Sequence, residues 1–165
     1  FKKGITYLKK RWFIIIIVFL IALGLSNLYD YLMQFLPKHL QYSDTQNEMA
    51  LDQLFETHAF IPFAFLMIVI AGPVVEELVL RHIIIGELGK KFNFIVMGIV
   101  SAITFTLIHV TDAKSPFEFG AYFILALSLV FVYLISGRNL AASIGLHMLN
   151  NLVSFIYTVW TIFYK

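Results

Sequence analysis

Two adjacent carboxylates, Glu76 and Glu77, lie inside an apolar stretch that is long enough to cross a membrane. At the centre of a hydrocarbon layer a charged side chain costs at least about 2.5 kcal/mol, so a residue of this kind indicates a functional site. Other apolar stretches contain His109, His147 and Asn151, whose side chains could take part in the same chemistry. Carboxylates and imidazoles activate water, and amide or imidazole N–H groups stabilise an oxyanion, so these residue types predict a hydrolytic centre.

Helical spacing indicates which of these groups can meet. Glu77 and Arg81 are four residues apart and share a helix face, as do His147 and Asn151. Neighbouring residues on a helix point about 100° apart, so Glu76 and Glu77 have different tasks. We expect Glu77 to pair with Arg81, and we expect Glu76 to be the free carboxylate that faces the histidines.

The depths of these residues also agree. Counted from the cytoplasmic helix ends at 1.5 Å per residue, Glu76 and His109 lie roughly 20 and 25 Å deep, and His147 and Asn151 roughly 12 and 18 Å. A boundary shift of a few residues moves each value by about one turn. Three segments that are far apart in sequence are therefore predicted to place their polar residues in one layer.

The composition predicts the protein class. Of the 165 residues, 60% are hydrophobic and 13% are charged, whereas soluble domains contain about 45–50% apolar and about 25% charged residues. The apolar segments cover approximately residues 12–36, 59–88, 92–110, 117–136 and 140–164. Each is close to the roughly 20 residues that a helix needs to span a bilayer, and none alternates as barrel strands do. The predicted fold is an all-α polytopic transmembrane bundle with about five membrane segments.

The chain is predicted to have two parts. Residues 1–58 form an N-terminal membrane helix and a polar extracytoplasmic loop, and residues 59–165 form a catalytic core of four membrane helices. The first apolar run lacks a small-residue cleavage site, so we interpret it as a retained span and not as a signal peptide. In the loop, residues 44–55 could form a short amphipathic helix that lies in the membrane surface.

Two local features of the spans stand out. The second half of the first span is polar on one side because it contains Asn27, Asp30 and Gln34. The second span is interrupted by Gly72-Pro73, and proline there suits the first turn of a restarted helix, where its missing N–H is harmless.

Basic residues predict the orientation and restrict the partners. With a cytoplasmic N-terminus, the inner side carries Lys2, Lys3, Lys9, Lys10, Arg11, Lys90, Lys91 and Arg138, and the outer side carries Lys38, Lys114 and Lys165. A net charge of +2 does not indicate a nucleic-acid partner. The absence of cysteine excludes disulfides, thiolate zinc ligands and a cysteine nucleophile. We expect a multi-pass protein of a bacterial plasma membrane, in contact with the lipid bilayer.

Three motifs resemble those of one protease family. The segments 76–81, 105–109 and 147–151 fit the patterns Glu-Glu-x-x-x-Arg, Phe-x-x-x-His and His-x-x-x-Asn, in this order and on successive spans. Together they resemble the CAAX-protease and bacteriocin-processing (Abi) family of intramembrane proteases, over residues 59–154. One departure is His82, which stands where the family has a small residue after the arginine.

The resemblance implies an intramembrane endopeptidase that acts on a peptide or a membrane-associated protein. It implies that Glu76 and His109 activate water and that His147 and Asn151 stabilise the oxyanion. The remaining motif residues, Glu77, Arg81 and Phe105, would support the site.

A zinc-dependent version of the protease remains an alternative, with Glu76, His109 and His147 as ligands. Against it, the sequence has no His-Glu-x-x-His motif, asparagine is a poor zinc ligand, and Glu77 is expected to pair with Arg81. We therefore favour a metal-free glutamate mechanism.

Three alternatives involve no proteolysis. A non-catalytic membrane scaffold or a bacteriocin self-immunity protein could have the same fold. A small transporter would be expected to show an inverted repeat, and none is visible. The polar residues could also be a structural ion pair and interhelical hydrogen bonds.

Overall fold

The computed structural model describes residues 2–42, 55, 58–111 and 113–164. In these ranges the chain forms five helices and no strand. The helices are α1 (Lys2–Met33), α2 (Ile61–Phe92), α3 (Phe94–His109), α4 (Glu118–Ile135) and α5 (Leu140–Tyr164). A 3₁₀ turn, His58–Phe60, precedes α2. The prediction of an all-α bundle is confirmed.

Four of these helices, α1, α2, α4 and α5, are long and apolar enough to cross a membrane. The protein is therefore a multi-pass membrane protein. The fifth, α3, has 16 residues and a length of about 24 Å, which is less than the roughly 30 Å of a hydrocarbon core.

The predicted third segment was longer than α3 because apolar composition does not show where a helix is capped. Asn93 has a φ of 116°, and its side chain accepts hydrogen bonds from the backbone N–H groups of Ile95 and Val96. The helix begins there and ends at His109. His109 therefore lies in the last turn of a short helix.

The Gly72-Pro73 pair does not break α2, contrary to the expected interruption. Two π-helical stretches, Leu66–Ala71 and Leu78–Leu88, flank a short α-helical stretch, Gly72–Glu77. Proline lies in the first turn of that α-helical stretch, as predicted. The π turns on either side accommodate the N–H that proline lacks, so the helix continues across the proline.

The helices share one core. Buried residues that pack together include Phe19 of α1, Leu80 of α2, Phe105 of α3, Leu129 of α4 and Leu146 of α5. The division into residues 1–58 and 59–165 stays a prediction, and α1 packs against α4 and α5.

A smaller buried cluster joins α2, α5 and Phe55. The Phe55 ring lies edge-on to Phe155, with centroids 5.4 Å apart. Apart from Phe55, the predicted interfacial helix lies outside the described residues.

Gly120 provides a test of the packing between α1 and α4. A Cβ at this position would lie 2.2 Å from the ring of Tyr29, whose hydroxyl donates a hydrogen bond to the carbonyl of Phe117 at 2.7 Å. We expect Gly120→Ala to displace the ring and lower the free energy of unfolding by about 1–2 kcal/mol. Circular dichroism of unfolding in detergent micelles measures the change. In the matched control, Gly24→Ala, the new methyl group meets nothing within 4 Å, so an equal loss there would contradict the expectation.

Candidate active site

Three helices bring Glu76, His109 and His147 together. Glu76 Oε2 lies 3.9 Å from His109 Nε2 and 3.9 Å from His147 Nε2. Both separations are too long for direct hydrogen bonds, and they fit a water molecule that bridges the three atoms. The Glu76 side chain is 30% exposed, whereas that of His147 is 3% exposed. Glu76 Oε2 itself is buried and has no hydrogen-bond partner among the described residues, so it is an unsatisfied acceptor that faces both imidazoles.

The partners of the two imidazoles define their tautomers. His109 Nδ1 lies 2.8 Å from the carbonyl oxygen of Phe105, and His147 Nδ1 lies 3.1 Å from Glu77 Oε1. Both partners are acceptors, so each Nδ1 carries a proton, and in the neutral ring each Nε2 has a free lone pair. Two lone pairs and one carboxylate oxygen then face one another. Such an arrangement favours a hydrogen-bond donor, an additional proton or a cation between them.

Glu77 and Arg81 form the expected pair. Arg81 Nη1 lies 3.2 Å from Glu77 Oε1, and both side chains are fully buried. The guanidinium also lies over the Phe105 ring at 5.1 Å, and its Nη2 donates to the carbonyl of Ala126 at 3.4 Å. The same Glu77 oxygen contacts His147. Glu77 therefore links the ion pair to the orientation of an imidazole.

Aromatic rings hold His109 on both faces. Phe105 stacks on it with a centroid distance of 4.3 Å and an interplanar angle of 24°, and Tyr122 stacks at 5.1 Å and 30°. Phe105 also presents its edge to His147 at 5.6 Å. The motif includes Phe105, but Tyr122 lies on α4 outside every motif. Sequence reasoning missed Tyr122, and only its aromatic character offered a signal.

Asn151 is anchored to the π-helical part of α2. The N–H of Gly72 bonds to Met67, five residues back, and Pro73 has no N–H. The carbonyl of Ile68 thus lacks both of its usual donors within the helix, and Asn151 Nδ2 donates to it at 2.9 Å. One N–H of the Asn151 amide is engaged there, and the second is available for other contacts. Asn150, also missed from sequence, donates to Asn151 Oδ1 at 3.4 Å.

The distances bear on the zinc alternative. Tetrahedral zinc ligands at about 2.0–2.1 Å lie about 3.3 Å from each other, whereas Glu76 Oε2 lies 3.9 Å from each Nε2. In the part of the chain that the structure describes, no group of three or more His, Asp or Glu residues is arranged to hold a metal ion. The donor types suit zinc, but the spacing would have to close by about half an ångström.

The region of the chain that contains the three motifs is similar to known proteins. Residues 58–153 match the family model described as type II CAAX prenyl endopeptidase Rce1-like. The membrane-embedded CAAX protease MroQ of Staphylococcus aureus is 34% identical over 97 residues, which cover 55% of this chain and 37% of that protein. The putative membrane peptidase YdiL of Bacillus subtilis is 37% identical over 49 residues, which cover 30% of this chain and 20% of that protein. No solved structure matches.

The buried ion pair provides a stability test. We expect Arg81→Met to lower the free energy of unfolding by about 3–5 kcal/mol, because it leaves the Glu77 carboxylate buried without its countercharge. In the control, Glu87→Gln breaks the exposed pair that Glu87 forms with Lys90. Because solvent screens this pair, the change should leave the free energy of unfolding almost unaltered. Chemical unfolding in detergent micelles measures both.

A double variant isolates the interaction. Arg81→Met combined with Glu77→Gln should lose less stability than the two single changes added together, because no unpaired charge remains. Strictly additive losses would show that the pair does not act as a unit.

Proposed function

Because the chain belongs to the family of type II CAAX prenyl endopeptidases described as Rce1-like, we propose that it is an intramembrane endopeptidase that cleaves a peptide or a membrane-associated protein. Its membership confirms the resemblance that the three motifs indicated. The single observation that carries the proposal is the position of Glu76 Oε2, which faces Nε2 of two imidazoles at the distance of one bridging water molecule.

In the proposed reaction, Glu76 is the general base. Water bound between Glu76 Oε2 and His109 Nε2 gives a proton to the carboxylate as its oxygen attacks the scissile carbonyl carbon. The Phe105 carbonyl holds the His109 tautomer and the two stacked rings hold its plane, so its Nε2 is positioned to accept the second water proton. When the tetrahedral intermediate collapses, the C–N bond breaks and Glu76 gives its proton to the leaving amine. His109 then releases the second proton to solvent as the carboxylate product leaves.

The oxyanion would be stabilised from α5. The second N–H of Asn151 is one donor, since the first is engaged by Ile68. His147 donates from Nε2 only when both ring nitrogens carry a proton, and its Nδ1 then donates to Glu77 Oε1 at 3.1 Å. The ion pair with Arg81 keeps that carboxylate in place.

The second candidate is the zinc-dependent version. It is favoured by one observation: each histidine donates its Nδ1 proton to an acceptor, as metal-ligating histidines do. Glu76, His109 and His147 would hold the ion, which would polarise the scissile carbonyl and acidify a bound water. We favour the metal-free version because the observed spacing fits water without rearrangement.

The orientation follows from the charges. Asn139 Nδ2 donates to the carbonyl of Gly4, so the basic N-terminus and Arg138 lie at the same end of the bundle. We place this end in the cytoplasm of a bacterium and the helices in its plasma membrane. His109, at the far end of α3, then lies nearer the outer face.

Replacement of the general base provides the central test. We expect Glu76→Gln to fold normally but to lose about 10²–10⁴-fold in cleavage rate, because the amide cannot take the proton from water. Comparison of membrane peptides from cells with the native chain and with the variant identifies the substrate as the polypeptide that accumulates. The exposed Glu87→Gln serves as the control. Identical peptide profiles would favour the non-catalytic scaffold or the self-immunity protein.

Metal analysis separates the two versions of the mechanism. We expect purified active protein to contain far less than one zinc per chain by mass spectrometry and to keep its activity after treatment with a chelator. Stoichiometric zinc that disappears in His109→Ala or His147→Ala, together with activity lost to the chelator and restored by zinc, would prove the metal-free version wrong.

A further inference from the structure

A cavity of about 590 Å³ lies beside the catalytic group, between α1, α4 and α5. This volume falls in the range of ligand-binding pockets. The polar side chains around it include those of Ser26, Asp30, Gln34, Tyr122, Asn150 and Ser154. We call it the side cavity.

The polar half of α1 faces this cavity. Ser26, Asp30 and Gln34 recur every four residues, so they share one side of the chain at the end of α1, and all three line the cavity. Leu25 and Leu28, on other sides of the helix, are exposed as expected for contact with lipid. Asp30 lies in the last turn of α1 and Gln34 in the turn that follows, so a carboxylate and an amide border the cavity at this end of the bundle. None of the proposed catalytic steps uses them.

Two wall residues connect the side cavity to the catalytic group. Tyr122 lines the cavity and stacks on the imidazole of His109. Asn150 lines it and donates to the side chain of Asn151. A group bound in the cavity would therefore be separated from the reacting atoms by a single layer of side chains.

The charge of the lining indicates what it binds. Among the described residues around the cavity, Asp30 is the only charged one, and its neighbours supply amide and hydroxyl groups. We propose that the side cavity is a substrate subsite that accepts a positively charged side chain, lysine or arginine, close to the scissile bond. The cation pairs with Asp30 and its N–H groups donate to the surrounding amide and hydroxyl oxygens, while its methylene groups contact Leu23 and Leu125.

This inference deepens the proposed function, and binding tests it without turnover. The probes are apolar peptides in phosphatidylcholine nanodiscs, with a single lysine placed at each position in turn, and matched peptides with norleucine or glutamate there. The protein is the full chain carrying Glu76→Gln, so the peptides stay intact, and fluorescence anisotropy gives Kd. We expect lysine at one position to bind about fivefold more tightly than norleucine, the upper range for an ion pair with an exposed carboxylate such as Asp30.

Substitutions test whether the Asp30 carboxylate causes the lysine preference. Asp30→Asn should remove the lysine preference, and Asp30→Lys should reverse it in favour of glutamate. In the matched control, Asp30→Asn is combined with Asn27→Asp, because Asn27 is exposed and does not line the cavity. This variant keeps the charge on α1 but moves it out of the cavity, so it should not restore the preference. Glu87→Gln should keep it.

Several results would overturn the inference: equal affinities for lysine and norleucine peptides, no binding of any peptide, or a lysine preference that survives Asp30→Asn. The last would show that the group responsible for the lysine preference lies elsewhere in the protein. A further outcome is that the native protein binds the lysine peptides through Asp30 but cleaves none of them. That result would contradict the proposed protease activity, while the cavity would remain a binding site for a cationic side chain.

Discussion

The arrangement of the candidate active site depends on one buried carboxylate, Glu77. Its Oε1 atom contacts both the guanidinium of Arg81 and Nδ1 of His147. In a low-dielectric bundle, each of these charges would be strongly unfavourable alone, and together they stabilise one another. Because the guanidinium also lies over Phe105, which stacks on His109, the pair influences both histidines. Glu76 Oε2, by contrast, has no hydrogen-bond partner among the described residues and faces Nε2 of both imidazoles.

The backbone of α2 provides the second constraint. A straight α-helix would satisfy nearly all of its carbonyl groups internally, whereas the π turn before Pro73 leaves the carbonyl of Ile68 for a side chain from α5. Irregular hydrogen bonding of this kind is tolerated at membrane depth only where a neighbour satisfies it. Asn151 thus stabilises the contact between two helices, and the same contact fixes the orientation of its amide.

Contacts between residues of one helix were predictable from sequence, and contacts between different helices were not. The Glu77–Arg81 pair follows from a four-residue spacing on one helix. The contact between His147 and Glu77 joins residues 70 positions apart, and its distance depends on helix packing that no spacing rule specifies. The bond from Asn151 to Ile68 required knowledge of the π turn, which leaves no signature in composition. Tyr122 lies in no motif, and its contact with His109 depends on how α4 packs against α3. The roles assigned to the site residues and the choice between water and zinc stay predictions.

The short α3 has a consequence for the surrounding lipid. Its length of about 24 Å is roughly 6 Å less than a typical hydrocarbon core, and hydrophobic mismatch of this kind is relieved by local thinning of the bilayer. Thinning next to His109 would draw the headgroups and interfacial water of one leaflet toward the end of that helix. The aqueous phase would then approach the reacting atoms through a depression in the lipid, without a pore through the protein.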